Sequence, residues 1–168
     1  EAIKMIEQGK TKDEIMAETK HGVGVANATF HVKEGEILVV MGLSGSGKST
    51  LVRCLNRLIE PSAGKVLVDG EDVTTLTDDE LRRFRQKHLS MVFQNFALFP
   101  HRTVRQNTEY GLEIQKVDPE VRKEKAMKAL DQVGLAGWED SYPAQLSGGM
   151  QQRVGLARAL ALDADIML

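Results

Sequence analysis

Residues 42–50 read GLSGSGKST and directly follow the apolar run ILVVM at residues 37–41. Glycine raises the entropy that a backbone loses on folding, so a helix start that only had to pack would not carry three of them. The pattern G-x-x-x-x-G-K-[ST], between an expected strand and an expected helix, is typical of a loop whose backbone N–H groups cradle phosphate oxygens. We therefore interpret residues 42–50, the phosphate loop, as a nucleotide triphosphate site.

The side chains of the phosphate loop have distinct expected roles. Lys48 supplies a positive charge for the β- and γ-phosphates, the Ser49 hydroxyl is placed to bind Mg²⁺, and Thr50 can bond to the α-phosphate. A flexible glycine-serine connection without a ligand is the alternative, which the strand-loop-helix context disfavours. The predicted nucleotide-binding residues of the loop are Gly42, Leu43, Ser44, Gly45, Ser46, Gly47, Lys48, Ser49 and Thr50.

Composition excludes several other classes of protein. The 168 residues are 42% hydrophobic and 27% charged, as in an ordinary folded domain. Lysine and arginine number 22 against 24 acidic residues, and the net charge of -2 argues against a surface built for nucleic acid. The single cysteine, Cys54, excludes an internal disulfide. Without a spanning run of about 20 apolar residues or a signal peptide, the chain is expected to be cytoplasmic.

Hydrophobic periodicity predicts an α/β chain. The run 37–41 has no polar alternation, which predicts a strand buried on both faces of a mostly parallel sheet. Residues 22–33 alternate and predict a half-buried edge strand. Cys54 lies at helical spacing among leucines and is expected to be buried. Further strands are expected at 65–68, 89–93 and 164–168, with a turn at Asp69-Gly70. Two short helices are expected within 1–20, and Thr11 and Glu14 are expected to cap the second. The other expected helices are 49–59, 77–87, 103–115, 119–133 and 148–162.

Residues 146–153, LSGGMQQR, predict a second anion-binding helix start. A serine at the cap position, followed by two glycines, leaves backbone N–H groups open to an anion. An ordinary capped helix is the alternative, because Ser-Gly helix starts are common. One chain therefore carries two expected phosphate-seeking sites.

Together the two motifs resemble the phosphate loop and signature sequence of ATP-binding cassette (ABC) proteins. The resemblance covers nearly the whole chain and is closest to the ATPase subunits of bacterial and archaeal importers for glycine betaine, proline and related quaternary amines. It implies a P-loop NTPase cassette with a mostly parallel core sheet, an antiparallel β edge and a helical subdomain that carries the signature. The segments that carry it are EAIKMIEQGKTKDEI, VVMGLSGSGKSTLVRCLNRLIEPSAGKVLVDGED, MVFQNFALFPHRTV and SYPAQLSGGMQQRVGLARALA.

The resemblance also implies partners. Ser147, Gly148 and Gly149 of one cassette would contact the γ-phosphate held by the phosphate loop of a second copy, so that ATP joins a homodimer. Gln94 matches the family's Q-loop and would be a catalytic residue that touches Mg²⁺ and the attacking water, although a strand-end glutamine taken alone is more often only solvated. Residues 95–103 would meet a membrane permease, which works with a solute-binding protein.

Several titratable residues are given structural roles. His101 lacks accompanying carboxylates or cysteines, so it is expected to be a loop residue facing the permease and not a metal ligand. The basic run 82–87 is better explained as a solvated helix face, balanced by acidic residues, than as a nucleic-acid site. No aromatic residue lies within 1–29 to stack on adenine, and His21 is a weak substitute.

The resemblance divides the chain into four parts and implies a truncated cassette. In the family, the strand that begins at 163–168 ends in an aspartate that binds Mg²⁺ and a glutamate that polarises water, and the sequence stops before either. We therefore expect this polypeptide to bind nucleotide but to hydrolyse it poorly, whereas the intact subunit would be an ATPase on the cytoplasmic face of the membrane. The other parts are an N-terminal helical extension at 1–20, a core at 21–93, and the Q-loop with the helical subdomain at 94–162.

Two other functions stay open. A soluble DNA-maintenance ATPase shares both motifs, but here no heptad repeat or CxxC pair lies between them, and the net charge is near neutral. A non-catalytic, nucleotide-gated interaction module is the third possibility.

Overall fold

The computed structural model describes residues 1–94 and 96–168, which form two compact units, Glu1–Leu76 and Thr77–Leu168. The predicted four-part division of the chain stays a prediction. The helices are α1 Ala2–Glu7, α2 Lys12–Thr19, α3 Lys48–Leu55, α4 Asp78–His88, α5 Val104–Ile114, α6 Pro119–Gln132 and α7 Gly148–Ala161. The strands are β1 Leu67–Val68, β2 Glu71–Asp72, β3 Leu89–Ser90 and β4 Ile166–Met167, and short 3₁₀ turns lie at Val73–Thr75 and Pro143–Gln145.

The first unit begins with the two short helices that the sequence predicts. The Thr11 hydroxyl accepts a hydrogen bond from the Glu14 N–H at 3.3 Å, and the Glu14 carboxylate accepts one from the Thr11 N–H at 2.7 Å. This reciprocal capping box satisfies two donors that the start of α2 would otherwise leave free. Met5 on α1 and Ile15 on α2 are buried, so each helix buries one large apolar side chain.

The β1–β2 hairpin confirms the predicted turn. Asp69 and Gly70 both have positive φ, at 50° and 85°, which suits a two-residue connection between antiparallel strands. Helix α3 ends at Leu55, earlier than predicted, because Arg57 adopts a left-handed φ of 52°. The Arg57 guanidinium then donates to the carbonyl oxygens of Val73 and Leu76 at 2.9 and 2.8 Å. Arg57 therefore ties the end of α3 to the 3₁₀ turn.

Two sequence predictions for the first unit are wrong. Residues 37–41 do not form a buried strand: Ile37, Val39 and Met41 are 88%, 67% and 84% exposed. Residues 22–33 are irregular and not an edge strand. A strand is held by hydrogen bonds to a neighbouring strand, and in the described part of the chain no strand pairs with either segment. An apolar run cannot supply those bonds by itself.

Cys54 also differs from its prediction, because it is half-buried instead of buried. Desolvation raises the pKa of its thiol above the ordinary value, and the negative charge of Glu60 adds to the effect. Both influences disfavour the thiolate, which is the reactive form of cysteine.

The second unit is built on helices α5, α6 and α7, which pack around one apolar core. Thr103 caps α5 with Gln106, and Pro119 occupies the first turn of α6 after the Asp118 cap. Gly134 follows the end of α6 with a φ of 67°. The core consists of Val104, Leu112, Ala129, Leu130, Leu135, Leu146, Val154, Ala157 and Ala161.

A short parallel pair completes the second unit. Strand β3 pairs with β4, with Leu89 opposite Ile166 and Ser90 opposite Met167. The Leu168 N–H donates to the Ser90 carbonyl, and the Val92 N–H donates to the Leu168 carbonyl, both at 2.9 Å. The predicted strand at 89–93 is thus shorter than expected, with one further hydrogen bond beyond it. Among the described residues, no helix is long and apolar enough to cross a bilayer.

Candidate functional site

The phosphate loop turns sharply into α3 at a glycine that the structure requires. Gly47 precedes the first helical residue with a φ of 96°, a left-handed value that favours glycine. A Cβ at Gly47 would lie 2.2 Å from the carbonyl oxygen of Gly24, so the site has no room for a side chain. Gly45 also has a positive φ, at 77°. Gly47 is thus required by space and by φ, whereas Gly45 is favoured by its φ alone.

Lys48 folds back over its own loop. Its Nζ donates to the carbonyl oxygens of Gly42 and Leu43, each at 2.7 Å, and lies 3.5 Å from the Ser46 hydroxyl oxygen. The ammonium group is therefore held beside the loop backbone, where a phosphate would meet a positive charge. Replacing carbonyl partners by phosphate oxygens would exchange neutral acceptors for charged ones, which form stronger hydrogen bonds with an ammonium.

The start of α3 adds bare backbone donors. No side chain caps this helix within the described residues, and its first turn contains no acidic residue. The first N–H groups of a helix lack intrahelical acceptors and carry the positive end of the helix dipole. Ser49 in this turn is exposed, whereas Thr50 is half-buried. The local chemistry therefore fits an anion with several oxygen atoms.

Gly24 supports the phosphate loop, although sequence reasoning gave it no role. Its carbonyl oxygen approaches the position of a Gly47 Cβ, and a Cβ at Gly24 itself would lie 3.2 Å from Cγ2 of Thr50. A glycine inside an alternating segment signals close backbone approach, and this signal could have identified it.

The signature residues, Ser147 to Gly149, begin α7 in the second unit. The Ser147 hydroxyl accepts a hydrogen bond from the Met150 N–H at 3.3 Å, which confirms the predicted serine cap. All three residues are exposed. A Cβ built on Gly148 or Gly149 meets no atom within 4 Å. The chain's own packing thus does not require glycine at either position.

Gln94 is exposed and lies in a turn that the Phe96 N–H closes by donating to the Phe93 carbonyl at 3.0 Å. Asn95, which the sequence assigns to the permease-facing loop, lies outside the described residues. The rest of that loop, residues 96–103, is here called the loop segment. The phosphate loop belongs to the first unit, and Gln94 and the signature residues belong to the second.

Two side chains that sequence reasoning missed hold the loop segment. Asn107 on α5 is fully buried; its Oδ1 accepts from the Phe99 N–H at 2.8 Å, and its Nδ2 donates to the carbonyl oxygens of Phe99, Arg102 and Thr103 at 3.1, 3.0 and 3.0 Å. Arg158 on α7 donates to Phe96 and Ala97. Asn107 lies on the apolar face of the helix expected at 103–115, and a polar residue in such a position indicates a buried hydrogen-bonding role.

Aromatic residues cover the middle of the loop segment. The Phe99 ring lies 4.5 Å from Tyr110 and 5.9 Å from His101, measured between centroids. The Arg102 guanidinium lies 5.0 Å from the Tyr110 ring centroid and pairs with Glu113 at 2.6 Å. In the part of the chain that is described, no cluster of three or more His, Cys, Asp or Glu residues could hold a metal ion. The ring contact of His101 is with Phe99.

The chain matches a known protein family along most of its length. The family profile described as ABC transporter matches residues 25–168, which include the phosphate loop, Gln94 and the signature residues.

The chain belongs to the ABC transporter family.

Curated ABC relatives resemble this chain along nearly all of its length. It is 62% identical to the glycine betaine transport ATP-binding protein OpuAA of Bacillus subtilis (strain 168) and 60% identical to the glycine betaine/carnitine transport ATP-binding protein GbuA of Listeria monocytogenes serotype 1/2a (strain 10403S), in both cases over 99% of this chain. It is 57% identical to the glycine betaine/proline betaine transport system ATP-binding protein ProV of Escherichia coli (strain K12). The chain spans 40% to 42% of the length of these relatives.

Solved ABC structures confirm the predicted fold class. A dimeric structure of a post-hydrolysis state of the ATP-binding cassette MJ0796, bound to ADP and Pi, matches with a TM-score of 0.79 and 38% identity. The match covers 86% of this chain and 64% of that one. A second dimeric structure of MJ0796, described as a bacterial ABC transporter cassette, matches with a TM-score of 0.80.

Proposed function

We propose that this chain is the nucleotide-binding part of an ATP-hydrolysing subunit that powers an importer for glycine betaine, proline or a related quaternary amine. The observation that carries the nucleotide site is the phosphate loop, in which the Lys48 ammonium lies 2.7 Å from two loop carbonyls beside an uncapped helix start. The relatives named for glycine betaine transport, similar over 99% of the chain, support the substrate class.

Magnesium fits the donors that the site offers. Ser49 contributes an exposed hydroxyl, and Mg²⁺ prefers oxygen ligands and keeps several water molecules. When bound, the ion would neutralise charge on the phosphate oxygens. Lys48 would add a second positive charge. That Gln94 touches the ion and orients the attacking water is implied by the family resemblance and stays a prediction.

Dimerisation through nucleotide forms part of the proposal. The signature residues expose a capped helix start with two glycines that the chain's own packing does not need. A glycine that the chain's own packing does not require leaves room for another molecule to approach the backbone. Here that molecule would be the γ-phosphate bound to a second copy. The MJ0796 structures, which are described as dimeric, support this part of the proposal.

The loop segment would meet a membrane permease that works with a solute-binding protein, which places the subunit on the cytoplasmic face of the membrane. Its backbone is held by α5 and α7, and it presents Phe99 and His101 next to each other. A rigid loop with aromatic side chains is well suited to receive a partner, because little entropy is lost on binding.

Isothermal titration calorimetry with Mg-ATP tests the nucleotide site. Wild type is expected to bind, and Lys48→Ala is expected to bind at least about tenfold more weakly, because the charge beside the phosphates is lost. Lys33→Ala is the matched control, since the exposed Lys33 bonds to Glu36 through its backbone N–H and carbonyl, which the substitution keeps. Absence of heat in wild type, or equal affinity in both variants, would contradict the proposal.

The substrate class is tested with the intact subunit. Expressed with its own permease and solute-binding protein in a strain that lacks betaine importers, it is expected to drive uptake of labelled glycine betaine, and Lys48→Ala is expected to abolish that uptake. Uptake of another solute class with no uptake of betaine or proline would reject the quaternary-amine assignment.

A further inference from the structure

Arg158 connects the signature helix to the loop segment. It lies on α7, eleven residues after Ser147, which corresponds to about 16 Å along a helix axis. Its Nη2 donates to the Phe96 carbonyl and its Nη1 to the Ala97 carbonyl, both at 2.8 Å. The planar guanidinium therefore grips two consecutive peptide oxygens.

The gripped backbone needs an external support. Phe96 and Ala97 both have left-handed φ values, 56° and 46°. Such conformations are sparsely populated for residues other than glycine, and they persist where surrounding contacts impose them. Gly155 is buried three residues before Arg158, and a Cβ on it would lie 3.8 Å from the Phe96 carbonyl oxygen. The loop backbone thus rests against α7 at the point where Arg158 holds it.

Arg158 carries its charge in a partly desolvated position. Burial lowers the pKa of its guanidinium from the ordinary value, and Tyr110 opposes this effect. No carboxylate within residues 1–94 and 96–168 forms an ion pair with it. A half-buried cation that is satisfied by peptide oxygens depends on those oxygens staying in place. Helix and loop therefore stabilise each other's position.

We propose that Arg158 is a positioning residue that makes the loop segment follow the signature helix. The inference rests on the proposed function, in which nucleotide contacts the N-terminus of α7 and the loop segment meets a permease. A displacement of α7 would carry Arg158 with it, and the carbonyls of Phe96 and Ala97 would follow. Asn107 holds the other end of the segment to α5, so the displacement would reorient the residues between these two supports.

Arg153 offers a matched control on the same helix. Its Nη1 donates to the carbonyl oxygens of Val133 and Gly134, at 3.0 and 3.3 Å, at the end of α6. Arg153 and Arg158 thus both bind two consecutive carbonyls from α7, but at different segments. A general loss of arginine hydrogen bonding would affect both targets, whereas the proposed link is specific to Arg158.

Hydrogen exchange with mass spectrometry, with and without Mg-ATP, tests the link on the 168-residue chain. In Arg158→Gln, amides of residues 96–103 are expected to exchange about tenfold faster without nucleotide, because two hydrogen bonds are lost. Arg158→Lys is expected to be intermediate, since an ammonium is not a planar fork. Arg153→Gln should accelerate exchange near 133–135 and leave 96–103 unchanged.

Mg-ATP is expected to slow exchange of residues 96–103 in wild type and in Arg153→Gln, but not in Arg158→Gln, with calorimetry reporting whether each variant binds nucleotide. Equal exchange of the loop segment in wild type and Arg158→Gln without nucleotide would overturn the support that we assign to Arg158. A nucleotide response that persists in Arg158→Gln, or that is missing from wild type that binds Mg-ATP, would overturn the coupling. Failure of wild type to bind Mg-ATP would instead reject the proposed function and the coupling, and the nucleotide-free result would stand.

Discussion

At the scale of single residues, glycine serves two different needs in this chain. Gly47 combines a φ of 96° with a Cβ position 2.2 Å from the Gly24 carbonyl oxygen, so the phosphate loop itself requires it. Gly148 has neither constraint, because its Cβ position is open. One glycine is needed for folding, and the other is available for an intermolecular contact.

Gly47→Ala is therefore expected to lower the free energy of unfolding by about 2 kcal/mol, because the loop must move away from Gly24. Gly148→Ala is expected to leave that free energy within about 0.5 kcal/mol, or to raise it slightly, as alanine favours a helix. Urea denaturation followed by circular dichroism measures both. Equal losses in the two variants would contradict the distinction between them.

Asn107 is a buried residue that makes four hydrogen bonds to the loop segment, and Asn107→Leu is expected to lower the free energy of unfolding. The change removes four hydrogen bonds; the carbonyls of Phe99 and Thr103 keep a backbone donor, whereas the Phe99 N–H and the Arg102 carbonyl lose the Asn107 side chain, so we expect a loss of about 3 kcal/mol in the free energy of unfolding.

Thr108→Val is the control for Asn107→Leu in the same denaturation experiment. Thr108 is equally buried, but its hydroxyl donates only to the Val104 carbonyl within α5, so the expected loss is about 1 kcal/mol. A smaller loss for Asn107→Leu than for Thr108→Val would show that the loop segment does not depend on Asn107.

At the scale of elements, helices α2, α4 and α5 begin with the same reciprocal cap. In each, a threonine hydroxyl accepts from the backbone N–H three residues later, and the glutamate or glutamine there accepts from the threonine N–H. These bonds join residues that are close in sequence, so the starts of these helices are determined before any packing.

Thr77→Ala is expected to destabilise the second unit by about 1 kcal/mol, because α4 loses the acceptor for the Glu80 N–H. Thr77→Ser keeps the hydroxyl and should stay within a few tenths of a kcal/mol of wild type. Thermal denaturation monitored by circular dichroism distinguishes the two variants, and an equal melting temperature for wild type and Thr77→Ala would rule out the cap as a source of stability.

The Arg102–Glu113 pair between the loop segment and α5 makes stability depend on acid. The hydrogen bond from Arg102 holds the pKa of the Glu113 carboxyl below its ordinary value of 4.5. A lowered folded pKa means that the contribution is present above pH 4.5 and is lost as pH falls through the folded pKa.

Glu113→Gln is therefore expected to lose less stability than wild type between about pH 5 and pH 3. Urea titrations across this range measure the difference. The double variant Arg102→Gln, Glu113→Gln is the control and should follow Glu113→Gln, because the pair is already broken. Identical pH profiles for wild type and Glu113→Gln would contradict the assignment.

At the scale of the whole molecule, residues 37–41 leave an apolar segment in contact with solvent. Ile37, Val39 and Met41 are all more than half exposed in the first unit. A segment with apolar side chains and an unpaired backbone favours association, because it exposes both the side chains and the backbone hydrogen-bonding groups.

We expect the 168-residue chain to self-associate with increasing concentration in sedimentation velocity experiments, and Val39→Lys to reduce that association. Val121→Lys is the control, since Val121 is an exposed apolar residue on α6, far along the chain from this segment. A monodisperse monomer at all concentrations would contradict the expectation, and so would an equal reduction by both variants.

Residue order is sufficient to predict the features whose partners are near neighbours along the chain. The Thr11–Glu14 cap, the Asp69-Gly70 turn and the signature cap all join residues within about four positions, so short patterns predict them. The positive φ of Gly45 and Gly47 is a local requirement that the loop pattern predicts, whereas the close approach of Gly24 to Gly47 is not local.

Features that depend on distant partners became visible in the folded chain alone. The exposure of residues 37–41 follows from the lack of a neighbouring strand in the described chain, which an apolar pattern cannot reveal. Gly24 matters through Gly47, and Arg158 through Phe96, 62 positions earlier in the chain. Hydrogen bonds between such residues form only after packing has brought their segments together, so the residue types alone could not identify them.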